Sequence, residues 1–85
     1  MDLNVRPQMR KYVNQRLKMH GDLGPLNDED LLFTSGRLDS LDAVEIIMTI
    51  EENYGINFSK IDFDLTLLDS VAAMADLVDR HAVHA

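Results

Sequence analysis

Four apolar residues spaced by four, Val5, Met9, Val13 and Leu17, constrain this 85-residue chain more than any other feature, because that spacing is one face of an α-helix. Tyr12 lies beside the stripe. Pro7 belongs either in the first turn or before a later start, since its ring disrupts a helix interior. The same period returns twice. At about 100° per residue, Ala43, Ile46, Ile47, Ile50 and Tyr54 share one arc of a second helix. A last helix begins at Asp69 or Ser70 and runs to about Ala82, with Val71, Met74, Ala75, Val78 and Ala82 on one face. Between these two, alternation over Ile56 to Phe58 is too short for a strand, and Ile61 and Phe63 sit among polar neighbours. A short helical turn near Ser59 to Phe63 is expected there. The pattern predicts an all-α chain of four helices whose third is short, folded as one domain, residues 1–85, with a modest core.

The connections are read from their breakers. His20-Gly21-Asp22-Leu23-Gly24-Pro25 ends the first helix with glycines suited to a C-cap and a proline that blocks continuation. The loop from His20 to Leu38 is long for a compact domain, so it either carries function or holds structure of its own. Asn27-Asp28-Glu29-Asp30 can start a short turn of helix. Leu31, Leu32 and Phe33 are expected to anchor the loop in the core, and Thr34-Ser35-Gly36 to supply a flexible turn. Gly55 stops the second helix.

Charge and composition remove several functions. A net charge of −7 and a pI near 4.6 argue against nucleic acid, whose phosphates are bound by Lys and Arg, and favour basic partners. The charge is polarised: Arg6, Arg10, Lys11, Arg16 and Lys18 are five of the eight basic residues, all in the first helix. A basic helix can meet a membrane surface, but here partial neutralisation of an otherwise acidic domain is the favoured role. With no cysteine, any thiol chemistry has to be imported on a cofactor. No stretch approaches the roughly 18 apolar residues of a membrane span, and the start lacks a signal-peptide core, so a cytoplasmic location without stable membrane insertion is expected. No metal site is read. Asp62 and Asp64 lack the spacing of a calcium loop, and His20, His81 and His84 lack the i, i+4 pairing of a helical zinc site. No Gly-x-Ser-x-Gly elbow is present, and the chain is read as a non-enzyme with no catalytic residues.

Function is concentrated around Gly36-Arg37-Leu38-Asp39-Ser40-Leu41-Asp42. Asp39 fits an N-cap, Ser40 the first helical position, and Asp42 lies three residues after the cap. A hydroxyl is thereby presented at a helix N-terminus, where unpaired amides and the macrodipole favour a phosphate, bound or covalent. The second helix also has an unexplained strip. Leu41, Val44 and Met48 fall together on a second arc, flanked by Glu51 on one side and by Glu45 and Glu52 on the other. Two readings stand: a docking surface, or Leu41 and Val44 packed under the preceding loop beside a solvated face. Leu68-Asp69-Ser70-Val71 nearly copies Leu38-Asp39-Ser40-Leu41 and serves as a control; it is expected to be wholly an N-cap, because no acidic apolar strip follows it.

Asp39-Ser40-Leu41-Asp42, with a glycine shortly upstream and an acidic helix bearing Val44 and Met48 downstream, resembles the prosthetic-group site of acyl carrier proteins. The likeness runs from about Leu31 to Val78. It implies a four-helix bundle of acyl-carrier type and a 4'-phosphopantetheine arm, donated by coenzyme A, on Ser40, with Asp39, Leu41 and Asp42 completing the motif. It also implies that Val44, Glu45, Met48 and Glu52 face partner enzymes, and Glu51 is grouped with them from the helix geometry. Fatty-acid-synthesis carriers usually have Gly-Xaa-Asp-Ser-Leu, whereas here Arg37 and Leu38 separate Gly36 from Asp39. The form Ser35-Gly36-Arg37-Leu38-Asp39-Ser40 is more similar to D-alanyl and other specialised carriers.

The expectation is a monomeric phosphoprotein that holds acyl groups as thioesters in a specialised lipid, polyketide or related pathway. Its implied partners are a phosphopantetheinyl transferase and acyl-loading, acyl-transfer or condensing enzymes with basic patches. Alternatives are an aminoacyl or peptidyl carrier, and an unmodified helical interaction module. The carrier reading requires Ser40, Val44 and Met48 to be accessible.

Overall fold

The computed structural model describes residues 5–60 and 64–81. Among them are three α-helices: α1 (Val5–Met19), α2 (Ser40–Tyr54) and α3 (Val71–His81). There is no strand among these residues, and Pro7 sits inside the first turn of α1. Between α2 and α3 lie two 3-10 turns, Phe58–Lys60 and Leu65–Leu68. The helical turn expected at Ser59 to Phe63 is met by the first of these as far as Lys60; residues 61–63 lie outside the described part. So do Ala82, placed at the end of the last helix, and His84.

The helical periods become one core. Val5, Met9, Val13 and Leu17 of α1 are buried against Ile46 and Ile50 of α2 and Val71, Met74, Leu77 and Val78 of α3. Ile47 and Tyr54, on the same arc of α2, are partly buried against that cluster. Leu77 is fully buried although it stood outside the expected stripe of α3; α3 is covered on a wider arc than four-residue spacing suggests. No helix among the described residues is long and apolar enough to cross a membrane.

The helix ends follow from local chemistry. Gly55 closes α2 in the left-handed region at φ 67°, donating its N–H to the Glu51 carbonyl. Gly21 does the same kind of work after α1 at φ 77°, with Asp22 N–H reaching back to the Leu17 carbonyl at 2.9 Å.

The long connection between α1 and α2 is held at many points. Leu32 and Leu38 are buried, and Leu38 N–H donates to the Leu32 carbonyl at 2.8 Å, pinching the segment into a loop. Of the three expected anchors, Leu32 is in the core and Phe33 packs on its edge, but Leu31 is 52% exposed. Leu32 N–H is bonded to the Asp69 carbonyl at 2.8 Å, and it is this residue of the adjacent pair that the fold turns inward. Residues 28 and 29 form a turn rather than a turn of α-helix, with Asp30 Oδ2 accepting from Asn27 N–H at 2.9 Å. The Thr34-Ser35-Gly36 turn is tied down, since Gly36 N–H donates to the Phe33 carbonyl and Ser35 Oγ donates to the Leu31 carbonyl.

The polarised charge of α1 is largely spent inside the molecule. Arg6 and Arg10 both pair with Asp28, and Arg16 pairs with Asp42. Arg37 braces the loop from its far end, with its Nε 2.9 Å from Asp22 Oδ2 and a guanidinium nitrogen 3.3 Å from the Pro25 carbonyl oxygen. The two residues that set Gly36 apart from Asp39 thus hold the loop, Arg37 by charge and Leu38 by burial.

Candidate functional site

The N-terminus of α2 is built by a reciprocal pair. Asp39 has extended backbone, φ −114° and ψ −177°, and its Oδ1 accepts from Asp42 N–H at 3.1 Å. Asp42 Oδ2 in turn accepts from Asp39 N–H at 3.0 Å, completing a capping box. Ser40 is the first helical residue, and it is exposed. Its amide and that of Leu41 precede the first intrahelical donor, so the end of α2 beside the hydroxyl keeps the partial positive charge of a helix start.

Asp42 does more than cap. Its side chain is 1% exposed and meets one residue near the end of α1 and one in the turn after it: Arg16 Nε at 2.9 Å on Oδ1 and His20 Nε2 at 2.6 Å on Oδ2. Burial pushes its carboxyl up, but hydrogen bonds from the Asp39 backbone, Arg16 and His20 outweigh it and hold the pKa at about 2. Asp42 is therefore an anion at any ordinary pH and turns inward, while Ser40 turns out. Asp39, itself exposed, offers a carboxylate oxygen within 4.8 Å of both the Asp42 oxygen and the His20 ring nitrogen.

The second arc of α2 is open. Leu41 is 64% exposed, Val44 50% and Met48 48%, so none is covered by the preceding loop. The acids beside them differ. Glu52 is exposed and Glu45 half-buried. Glu51 has a job within the chain: its Oε2 accepts from Phe58 N–H at 3.1 Å, tying the 3-10 turn to the end of α2. The strip thus has one rim of open carboxylate and one rim turned inward.

Arg16 and His20 were not singled out by the sequence. They stand 26 and 22 residues before Asp42, and no local spacing connects them to it. The only available signal was negative: a buried anion at the third position of α2 needs a cation, and α1 holds most of those available.

The control pair behaves differently. Ser70, at 8% exposure, is the N-cap of α3, its Oγ accepting from Ala73 N–H at 3.0 Å. Asp69 is not part of that cap, contrary to the expectation of a pair that only starts a helix. Its Oδ1 accepts from the amides of Leu32, Phe33 and Thr34, and its Oδ2 from the Thr34 hydroxyl.

The profile of the phosphopantetheine attachment site family matches residues 8–78 of this chain. An acyl carrier protein of Buchnera aphidicola subsp. Baizongia pistaciae (strain Bp) is 30% identical over 78 residues, covering 92% of this chain and 95% of the relative. No solved structure matches significantly.

Proposed function

The chain belongs to the phosphopantetheine-binding carrier family, with 4'-phosphopantetheine as its prosthetic group, and on that premise we propose that Ser40 is the point of attachment. The observation that carries the reading is the exposed Ser40 hydroxyl at the start of α2. The site fits the group: a phosphodiester on Ser40 lies at the positive end of the helix, and no buried residue has to move to admit it. When bound, the group supplies a thiol on a long arm, which this cysteine-free chain lacks.

In the attachment step the Ser40 oxygen bonds to the phosphorus next to pantetheine and the pyrophosphate bond of coenzyme A breaks. Adenosine 3',5'-diphosphate leaves with the electron pair, and the hydroxyl proton passes to a base of the transferase. Within the chain, Asp39 fixes the helix start and Asp42 locks it. Neither is assigned as the base, because Asp42 is buried and ion-paired and Asp39 serves as the cap.

The carrier holds its cargo and does not transform it. The cargo is an acyl group in a specialised lipid, polyketide or related pathway, or an aminoacyl group as in D-alanyl carriers; the Arg37-Leu38 spacing favours a specialised role. Residues 1–85 act as one monomeric carrier domain, with the 3-10 turn Phe58–Lys60 standing where the short third helix of a four-helix arrangement is expected, working in the cytoplasm. Leu41, Val44 and Met48 give apolar contact to partner enzymes, and Glu45 and Glu52 steer basic patches, an effect that weakens with salt. Glu51 is left a lesser part in that surface because its carboxylate holds the Phe58 amide.

The test is intact mass after incubation with coenzyme A and a broad-specificity phosphopantetheinyl transferase. Wild type and Ser70→Ala gain the phosphopantetheine mass; Ser40→Ala does not. A folded wild type that takes no adduct would instead favour an unmodified interaction module.

A further inference from the structure

Asp42 lies two residues after Ser40 and its carboxylate reaches back to the amide of Asp39, one residue before, so a single side chain spans the modification point. That side chain is itself gripped from α1 and the turn directly after it. Arg16, 14% exposed, meets Oδ1 through both Nε at 2.9 Å and Nη2 at 2.8 Å. His20, 38% exposed, meets Oδ2 at 2.6 Å. Resting on the reading of Ser40 as the attachment residue, we propose that Arg16 and His20 are positioning residues for the modification of Ser40. They act through Asp42 to hold the first turn of α2 in the geometry that transfer needs.

The physical reason is the alignment of phosphoryl transfer. The attacking oxygen has to lie in line with the bond that breaks, and a misplacement of about 1 Å can cost a hundredfold in rate. The capping box alone joins residues within one turn and leaves that turn free to shift as a unit. The contacts from Arg16 in α1 and from His20 in the turn directly after it fasten it to a helix buried along its whole inner face. Other ion pairs of α1 do not have this reach: Arg10 meets Asp28 at 2.8 Å and 3.0 Å, bracing the loop and not the start of α2.

That difference supplies the control. The full-length protein is modified with coenzyme A and the same transferase, followed by intact mass over time, at a temperature where circular dichroism shows each variant folded. Arg16→Met and His20→Ala are expected to lower kcat/KM about tenfold, mainly in kcat, as loss of alignment does. Arg16→Lys and His20→Gln, which keep an N–H donor toward Asp42, recover part of the rate. Arg10→Gln lowers the melting temperature but is modified at the wild-type rate. If Arg16→Met fails to fold, His20→Ala alone decides. Folded Arg16→Met and His20→Ala proteins modified as fast as wild type would overturn the proposal, as would an equal slowing in Arg10→Gln. Absence of any adduct on wild type is a different failure: it removes the Ser40 reading and this proposal with it.

Discussion

Asp39-Ser40 and Asp69-Ser70 are the same dipeptide at the start of two helices, yet the helices begin one residue apart relative to it. In the first pair the aspartate caps and the serine is the first helical residue, exposed. In the second the serine caps and is buried, while the aspartate turns away to hold the loop. The difference lies in the backbone of each aspartate. Asp39 is extended, at φ −114° and ψ −177°, the β-region conformation of a cap. Asp69 closes a 3-10 turn, with its N–H toward the Thr66 carbonyl, and is held at φ −75° and ψ −3°. It cannot cap from there, so the role passes to Ser70. A cap motif therefore presents a hydroxyl or hides it depending on whether its aspartate is extended or already helical.

The comparison breaks first at the aspartates. Asp69→Ala leaves the amides of Phe33 and Thr34 and the Thr34 hydroxyl without their carboxylate acceptor, while Leu32 N–H keeps the Asp69 backbone carbonyl, and about 3 kcal/mol of stability is expected to be lost, a large share of a small domain's total. Asp69→Asn, which keeps one oxygen for the three amides, is expected to lose less. Urea denaturation measures both; a loss under 1 kcal/mol in Asp69→Ala would mean that water replaces the carboxylate freely.

Acid comes next. Burial raises the Asp69 carboxyl, but the Thr34 hydroxyl and the three loop amides bring it below the ordinary range, and Asp42 is held at about 2 for the reasons given above. Both carboxyls are lower in the folded chain than in the unfolded one, so their contribution is complete above the unfolded value of 3.8. It is lost as pH falls from there through about 2. The urea midpoint is expected to drop steeply across that window in wild type, and less steeply in Asp42→Asn, which starts lower. Parallel profiles for the two proteins would show that Asp42 is not the group responsible.

What the sequence made legible was whatever is local. The apolar faces of α1, α2 and α3 follow from a 3.6-residue period, and the Asp39 to Asp42 box from a three-residue spacing; both survive in the structure because their partners lie within one or two turns. What crosses between elements was not legible. The Arg16 and His20 grip on Asp42, the Asp69 hold on residues 32–34 and the Glu51 bond to Phe58 depend on where the chain returns, which no window of sequence contains. Leu31 and Leu32 show the same limit at a smaller scale, since hydrophobicity nominates both and only the backbone direction chooses. The basic charge of α1 was legible as a surplus, but its assignment to Asp28 and Asp42 required the fold.

The serines give the smallest effect and the sharpest contrast. Ser70→Ala removes the oxygen that receives Ala73 N–H at a nearly buried helix start, and loss of such a cap costs about 1 kcal/mol, or a melting temperature lower by roughly 4–8 °C in a chain this short. Ser40→Ala removes an exposed hydroxyl with no side-chain hydrogen bond among the described residues, at a position where alanine is the better helix former. Its stability is expected to stay within about 0.5 kcal/mol of wild type. The two substitutions should therefore rank one way in thermal melts and the opposite way in phosphopantetheine uptake. A Ser40→Ala protein as unstable as Ser70→Ala would make the first hydroxyl part of the scaffold. An unchanged melt with complete loss of the adduct separates the group that is displayed from the group that holds the helix.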